Sequence, residues 1–485
     1  MGRFNTSLVV GLTFVATLGG LLFGWDTAVI SGAVSSIDAY FIDPLGLSET
    51  ARDSLSGWTV GSALIGCIIG AAVAGWISTA LGRKGGLIIA ALLFLLGSLG
   101  SAVPEFGFGV IGQMGPAALD QFIAYRILGG VGVGIASMLS PLYIAEISPS
   151  AIRGRLVSFN QLAIVLGIVL VYGVNWFIAS LGDAAWIKST GWRWMLASEA
   201  IPAAIFLVLL MFVPDTPRWL VLRGRNEEAL AQLKRVTDES DARTILADIE
   251  RTLAVRAAPL FSFGVTVVMV GILLSAFQQF VGINAVLYYA PLMFKNMGAS
   301  TNTALLQTAV VGTANVLFTI VAIVTVDHWG RKPLLVAGGF LMGAAMIALG
   351  CLFNAHTMGL AALVAVVVYI GGFAFSWGPV TWVLLAEMFP NSIKGRGLGI
   401  AVAAQWAANW LVSVSFKVLD GNSTLNAAFN HGFAYWIYGL MSLLAALFVM
   451  RYVPETKGRS LEAIQDLWGK GRGVQAAAES GKVLS

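Results

Sequence analysis

Two ionisable residues stand in otherwise apolar stretches and could carry proton chemistry. Asp26 ends the segment 19–26, and Arg126 lies in the segment 122–127. A charge near the centre of a bilayer is costly, so an ionisable side chain there is usually functional. Burial favours the neutral form of a carboxyl group, whereas a neighbouring guanidinium favours its ionised form. A contact between the two side chains that changes with conformation predicts proton coupling, and a static structural ion pair is the alternative.

A second group of residues consists of amide side chains on apolar segments. Its members are Gln161, Gln278, Gln279, Asn284, Asn315 and Gln405. Amides offer paired donors and acceptors, which suits an uncharged ligand covered in hydroxyl groups, and Trp382 and Trp406 could pack against its apolar faces. Gly282 lies between the paired glutamines and Asn284, and it predicts a locally unwound helix. The alternative is hydrogen bonding between helices, at about 0.6 kcal/mol per pair; the adjacent glutamines with Asn284 favour a ligand site.

A third group lies in repeated motifs. The segment 146–155 is similar to 387–396, Gly82-Arg83-Lys84 to Gly330-Arg331-Lys332, and 214–218 to 454–457. Two similar halves in an apolar chain predict a transporter that rocks about a central site. We expect acids and bases of opposite halves to form salt bridges that close the inner gate, although anchoring of the topology is the alternative. The candidate gating residues are Glu146, Arg153, Glu387, Lys394, Arg83 and Arg331.

Composition predicts the elements that position these residues. The 485-residue chain is 58% hydrophobic and 11% charged, with a mean hydropathy of +0.83, whereas a soluble domain carries about 25% charged residues. Continuous apolar runs of about 20 residues favour membrane-spanning helices over a barrel. They predict an all-α membrane protein with twelve spans in two pseudo-symmetric six-helix bundles, at 8–33, 56–79, 86–103, 121–145, 157–180, 192–213, 261–290, 304–326, 333–354, 359–386, 398–418 and 432–453.

The distribution of basic residues predicts the orientation in the membrane. Of the 29 Lys and Arg residues, 23 fall in loops on the side of both termini, which predicts that both termini are cytoplasmic. The expected location of the multi-pass protein is the cell (inner) membrane. The pI near 9.0 is therefore a topology signal and does not indicate nucleic acid. The expected domains are a bundle at 1–214, a cytoplasmic linker at 215–259, a second bundle at 260–453 and a cytoplasmic tail at 454–485. Within the linker, a helix is expected at 226–235, followed by a more broken charged run to Arg256.

Cysteine and histidine usage predicts neither a cofactor nor a metal site. Cys67 and Cys351 both fall inside apolar spans, and the three histidines lie near span ends without the spacing of metal or haem ligands. A membrane enzyme is thus disfavoured. The expected partners are an uncharged small molecule covered in hydroxyl groups, a proton and the lipid bilayer, and the protein is expected to be a monomer.

The motifs together resemble those of one known family. They are Gly82-Arg83-Lys84, Arg126 with Ile-Leu-Gly-Gly, 141–146 with Arg153-Gly-Arg155, 214–218, 278–284, 327–332 and 454–459. Over residues 8–468 the chain resembles the sugar porter family of the major facilitator superfamily, and in particular its bacterial proton-coupled members.

This resemblance implies the major facilitator fold, alternating access and specific residue roles. It implies that Asp26 is the protonatable residue and Arg126 its partner. It also implies a sugar site whose residues are Gln161, Gln278, Gln279, Asn284, Trp382 and Gln405, with Phe23, Tyr288, Asn315 and Trp406 lining the same pocket.

One departure bears on the substrate. Ile168 stands where xylose-carrying members have Gln and hexose carriers often have Ile, so the choice between D-xylose and D-glucose stays open. The predicted function is proton-coupled import of a monosaccharide. A facilitative uniporter and a sugar sensor are the alternatives, although a sensor would be expected to carry a long soluble signalling tail.

Overall fold

The computed structural model describes residues 5–149, 152–253, 259–357, 359–390 and 393–457. This part of the chain is helical and contains no strand. Its main helices are Thr6–Val29, Glu49–Ala102, Leu119–Ile147, Arg153–Ala179, Trp192–Ala197, Ala200–Phe212, Pro217–Leu222, Asn226–Val236, Glu239–Leu253, Val265–Phe280, Ile283–Asn296, Thr301–Trp329, Arg331–Asn354, Leu360–Gly372, Gly378–Met388, Lys394–Gly421, Ser423–Phe429 and Gly432–Tyr452.

The helix Glu49–Ala102 is too long for a single span. At 1.5 Å per residue its 54 residues would extend about 80 Å, whereas the hydrocarbon core is roughly 30 Å thick. The chain turns back at Gly82, where φ is 82°, so spans 2 and 3 lie on either side of this glycine. Eleven helical stretches of the described chain are long and apolar enough to cross a membrane, and they amount to twelve spans. The predicted all-α membrane fold is confirmed.

Two of these spans are not single regular helices. Span 7 consists of Val265–Phe280 and Ile283–Asn296, and Gly282 between them has a left-handed φ of 91°. The local unwinding predicted at Gly282 is confirmed. Span 10 contains a π turn at Phe373–Trp377. Both irregularities lie near mid-span, the depth at which a transporter holds its substrate.

The repeated motifs build the same structure at the terminus side of each half. In the first half, Arg83 Nη2 lies 2.7 Å from Glu146 Oε1, and Thr216 donates to the other oxygen of Glu146 at 2.5 Å. In the second half, Arg331 lies 2.9 Å from Glu387 Oε1, and Thr456 donates to Oε2 of Glu387 at 2.5 Å. The sequence repeat is therefore a structural repeat.

A carboxylate completes this structure in the second half. Glu455 accepts hydrogen bonds from the backbone N–H groups of Arg331 and Lys332, at 3.1 and 2.9 Å, at the start of span 9. Burial acts to raise the pKa of Glu455, but the backbone N–H donors, that of Lys457 among them, outweigh it and lower the pKa. A negative charge at a helix N-terminus is stabilising, so the last motif caps span 9.

We expected the repeated motifs to form salt bridges between opposite halves, but the described salt bridges of these motifs lie within one half. Arg83 and Glu146 both belong to the first half, and Arg331 and Glu387 both belong to the second. The reason is geometric, because each Gly-Arg-Lys turn lies beside the end of a neighbouring span of its own bundle. The side chains of Arg153 and Lys394 lie outside the described residues, and their gating role stays a prediction.

The linker is more helical than the sequence suggested. The expected helix is present as Asn226–Val236, but the charged run after it, which we expected to be broken, forms the helix Glu239–Leu253. Trp219 anchors this region to the first half by donating to the carbonyl of Thr79 at 3.0 Å. The domain boundaries stay predictions, and most of the predicted tail lies outside the described residues.

The two halves are joined at the span ends opposite the termini. Three hydrogen bonds cross between them there, from Lys417 to Asp38 at 3.1 Å, from Lys295 to Ser35 at 3.3 Å, and from the Tyr172 hydroxyl to the Leu287 carbonyl at 2.7 Å. Gly57 and Gly61 of span 2 lie against Val414 of span 11. These contacts close this end, which we call the outer end.

The positive-φ glycines of the repeat give a stability prediction. A Cβ at Gly82 would lie 2.6 Å from Asp215 Oδ1, and one at Gly330 would lie 2.8 Å from Glu455 Oε2. We expect Gly82→Ala and Gly330→Ala each to lower the free energy of unfolding by more than about 1 kcal/mol, because the left-handed conformation alone costs about that much. Thermal unfolding of the detergent-purified protein measures it.

Gly75→Ala is the matched control, because a Cβ there meets no atom within 4 Å. Alanine is favoured over glycine in helices, so this variant should be as stable as the parent or more so. Equal unfolding temperatures for all three variants would contradict the assigned role of the two turns.

Candidate functional site

A cavity of about 670 Å³, counting the open space at its mouth, lies between the two halves. Ten of the eleven predicted sugar-site residues line it, namely Phe23, Gln161, Ile168, Gln278, Gln279, Asn284, Asn315, Trp382, Gln405 and Trp406. Lining residues that sequence reasoning missed include Thr27, Ile164, Val165, Thr319 and Asn409.

The amides of span 7 form a hydrogen-bonded chain along the cavity. Gln278 donates to the carbonyls of Trp377 and Gly378, at 3.0 and 3.3 Å, next to the π turn of span 10. Gln279 donates to Gln278 Oε1 at 3.3 Å, and Asn284 donates to Gln279 Oε1 at 2.6 Å. The break at Gly282 brings Asn284 back beside the glutamines. The chain fixes the amides in position, while their remaining donors and acceptors stay available.

Two further polar atoms at the cavity are buried without a partner among the described residues. They are Gln405 Oε1 and Trp406 Nε1, neighbours on span 11. The Trp406 ring also packs against Phe23, with ring centroids 5.4 Å apart. An unpaired buried donor or acceptor is costly, so the adjacent acceptor and donor favour a ligand with hydroxyl groups. The nearby aromatic rings suit the apolar face of such a ligand.

The first half contributes a mostly apolar surface to the cavity. Ile164, Val165 and Ile168 of span 5 line it together with Gln161. Ile168 therefore faces the space that a substrate would occupy, as its position one repeat beyond Gln161 suggested. Most hydrogen-bonding groups of the cavity therefore belong to the second half. The apolar side chains that limit the size of a ligand belong mainly to the first half.

Tyr288 is the predicted site residue that the structure places elsewhere. It is buried behind the cavity, and its hydroxyl accepts a hydrogen bond from the lining residue Asn409 at 3.3 Å. Asn284, at the start of the helix after Gly282, reaches the lining, whereas the Tyr288 side chain one turn further on does not. Tyr288 thus orients Asn409 and does not line the cavity.

Asp26 and Arg126 are in contact, as the proton-coupling hypothesis requires. Arg126 Nη1 lies 2.8 Å from Asp26 Oδ1, and both side chains are less than 5% exposed. On span 1, Asp26 stands between Phe23 and Thr27, which both line the cavity. The ion pair is therefore within one helical turn of the candidate ligand site.

A third ionisable residue, Glu199, belongs to this pair, and sequence reasoning missed it. It is 1% exposed, at the break in span 6 between Trp192–Ala197 and Ala200–Phe212. Its carboxyl group is close enough to Asp26 and Arg126 to interact electrostatically with both, and Glu199 Oε1 and Asp26 Oδ2 are both buried without a hydrogen-bond partner among the described residues. Two buried carboxyl groups near one guanidinium are one more than that guanidinium can balance if both are ionised. An acid inside the predicted span 192–213 was the signal that could have identified it.

Comparison with known proteins identifies sugar transporters as relatives of this chain. The family model described as "Sugar (and other) transporter" matches residues 12–468. The D-xylose-proton symporter of Escherichia coli K12 is 52% identical over 475 residues, covering 96% of this chain and 97% of the relative. The glucose facilitated diffusion protein of Zymomonas mobilis is 47% identical over 468 residues, covering 96% and 98%.

Solved structures agree with these relatives. The proton:xylose symporter XylE of the major facilitator superfamily, bound to 6-bromo-6-deoxy-D-glucose, superposes with a TM-score of 0.85 at 52% identity, covering 96% of this chain and all of that one. XylE from E. coli in a partially occluded inward open conformation gives a TM-score of 0.86 at 50% identity, covering 94% and 100%. This chain belongs to the sugar transporter family of the major facilitator superfamily.

Proposed function

We propose that this protein is a proton-coupled symporter that imports a monosaccharide of the D-xylose or D-glucose type by alternating access. One observation carries the proposal: a cavity with amide and indole groups that suit a sugar lies within one turn of a buried ion pair with a surplus carboxyl group. The relatives described as a D-xylose-proton symporter and as a glucose facilitated diffusion protein support the sugar class.

In this proposal, both termini and the linker lie in the cytoplasm and the protein lies in the inner membrane. The excess of Lys and Arg on the terminus side supports this orientation. The closed outer end then faces away from the cytoplasm, so the structure does not correspond to an outward-facing state. A single chain contains the whole cavity, in agreement with a monomeric transporter.

Coupling follows from the charge balance around Arg126. A proton shared between Asp26 and Glu199 neutralises the extra carboxyl group, and its loss leaves two negative charges against one positive charge. Electrostatic repulsion then favours separation of one carboxyl group from Arg126. Because Asp26 stands between two lining residues, this separation moves the sugar site.

The energetic requirement is modest. One proton that enters down a potential of about 100 mV supplies roughly 2.3 kcal/mol, which corresponds to about forty-fold accumulation of sugar. A single shared proton is therefore sufficient for a one-to-one symporter.

Facilitated diffusion is the second candidate function, and the Zymomonas relative favours it. A uniporter would bind sugar in the same cavity, but an imposed proton gradient would not raise its final accumulation. Uptake of labelled D-xylose and D-glucose into vesicles, with and without such a gradient, distinguishes the two functions. Transport of neither sugar would contradict both.

The ion pair gives a prediction for Asp26→Asn. This change removes the titratable group but retains its size, so we expect accumulation to fall from up to about forty-fold to about one. Exchange of labelled for unlabelled sugar should continue, because the cavity is intact. Asp183→Asn is the control, since Asp183 is an exposed helix cap on the outer side and Asn serves as well in that position. Undiminished accumulation by Asp26→Asn would contradict coupling at this site.

The unpaired indole gives a prediction for Trp406→Phe. This change removes the Nε1–H donor but keeps an aromatic ring, so we expect sugar affinity to fall about three- to tenfold, the effect of one hydrogen bond. Equilibrium binding of labelled sugar measures the affinity, because this assay does not rely on tryptophan fluorescence. Trp410→Phe is the matched control, because Trp410 Nε1 is also buried without a partner but lies outside the cavity lining. Equal losses in both variants would show that Trp406 does not contact the sugar.

The apolar surface of span 5 gives a prediction for substrate preference. Ile168→Gln adds a hydrogen-bonding group where a C6 hydroxymethyl group would need room, so we expect the ratio of D-xylose to D-glucose affinity to rise about threefold. One weak hydrogen bond corresponds to that factor. Ile164→Gln, which changes a neighbouring lining residue, tests whether the effect belongs to position 168. An unchanged ratio for Ile168→Gln would contradict it.

A further inference from the structure

A buried ion pair joins the two halves at the outer end, away from the sugar cavity. Lys417 Nζ of span 11 lies 3.1 Å from Asp38 Oδ2 in the short helical segment after span 1. The lysine side chain is 8% exposed and that of the aspartate 5%. This pair is unlike the Arg83 and Arg331 pairs, because its members come from different halves.

Asp38 is well supported within its own half. Ser56 of span 2 donates to Asp38 Oδ1 at 2.6 Å, and Arg52 lies 3.9 Å from Oδ2. Arg52 is 37% exposed and also pairs with Asp43 and Asp53. Asp38 therefore keeps polar partners when the halves separate.

Lys417 is not supported in this way. Asp420, the acid one turn further along span 11, accepts hydrogen bonds from Asn296 at 3.2 Å and lies 3.0 Å from His431 Nδ1. These partners belong to its own half. The other acid close to Lys417 is Asp53 of span 2, which belongs to the first half and moves away with Asp38. Separation of the halves thus leaves Lys417 without a carboxylate partner among the described residues.

We propose that the Asp38–Lys417 pair is a latch that holds the outer end closed and sets the balance between inward-facing and outward-facing states. A charge-assisted hydrogen bond is stronger than one between neutral groups, and this one joins the two halves only while the outer end is closed. The latch therefore stabilises the closed outer end relative to the open one. This inference rests on the proposed alternating access and adds a regulatory element to it.

Accessibility of the seam between the halves tests the latch. Val414→Cys places a thiol where span 11 meets Gly57 and Gly61 of span 2, in a chain whose Cys67 and Cys351 have been replaced by Ala. In this background Lys417→Met removes the charge and keeps the length of the side chain. We expect a membrane-impermeant maleimide, added on the outer side, to label the thiol about tenfold faster in that variant, because the open state is more populated.

Two further variants keep the test decisive. Asp38→Asn removes the carboxylate of the same pair but keeps an acceptor for Ser56, and we expect it to raise the labelling rate about as much as Lys417→Met does. Arg52→Gln is the matched control, because this cation touches Asp38 from the same half and is partly exposed; we expect less than a twofold change, as for surface pairs. Labelling at the parental rate in a folded Lys417→Met or Asp38→Asn protein would overturn the proposal.

Sugar exchange measured on the same vesicles separates this proposal from the proposed function. If labelling responds as expected but no variant and no parent exchanges sugar, the latch stands and the assigned substrate is wrong. If exchange is present and labelling does not respond, the transport function stands and the latch is wrong.

Discussion

One buried guanidinium facing two carboxyl groups is the interaction on which the rest of the structure depends. Arg126 of span 4 contacts Asp26 of span 1 and interacts with Glu199 at the break in span 6. In an apolar interior an unbalanced charge is strongly unfavourable. The packing of these three spans therefore depends on how many of the three groups are charged. Trp25 and Ser198, the residues beside the two acids, are also hydrogen-bonded to each other. Since Phe23 and Thr27 line the cavity on either side of Asp26, the charge balance and the shape of the ligand site are linked through one helix.

The duplicated halves share a frame but differ in chemistry. The Gly-Arg-Lys turns, the glutamates that pair with them and the threonines that follow spans 6 and 12 are the same in both halves. The buried ion pair belongs to the first half, and the amide chain belongs to the second. The amides that we propose bind the sugar and the acids that we propose bind the proton thus belong to different halves. Relative movement of the halves changes both environments together, which a single bundle could not do.

Much of the fold could be predicted from the sequence, because lipid leaves few options for the backbone. A buried N–H or C=O in hydrocarbon needs an internal partner, so continuous apolar runs identified the spans, and Gly282 identified the break in span 7. Contacts between side chains were harder. Glu199 was missed although it lies inside the predicted span 192–213, because the sequence does not show that it is close to Asp26 and Arg126. Tyr288 was assigned to the cavity from the family resemblance, which does not show whether its side chain reaches the lining in this chain. The partners of Glu146 and Glu387 depend on which span ends are neighbours, and a repeat in the sequence does not show that. The helix Glu239–Leu253 was missed because charged residues obscured its apolar positions.

The contacts made by the segments that follow spans 6 and 12 also have a consequence for how the chain is synthesised and folded. Glu455, which caps the start of span 9, and Thr456, which binds Glu387 of span 10, both follow span 12. Thr216 follows span 6 and binds Glu146 of span 4 in the same way. Each bundle therefore receives its closing contacts from the last segment to leave the ribosome for that bundle. The first bundle can be completed before the second has been synthesised, whereas a chain truncated before residue 455 would carry a second bundle that lacks its final cap.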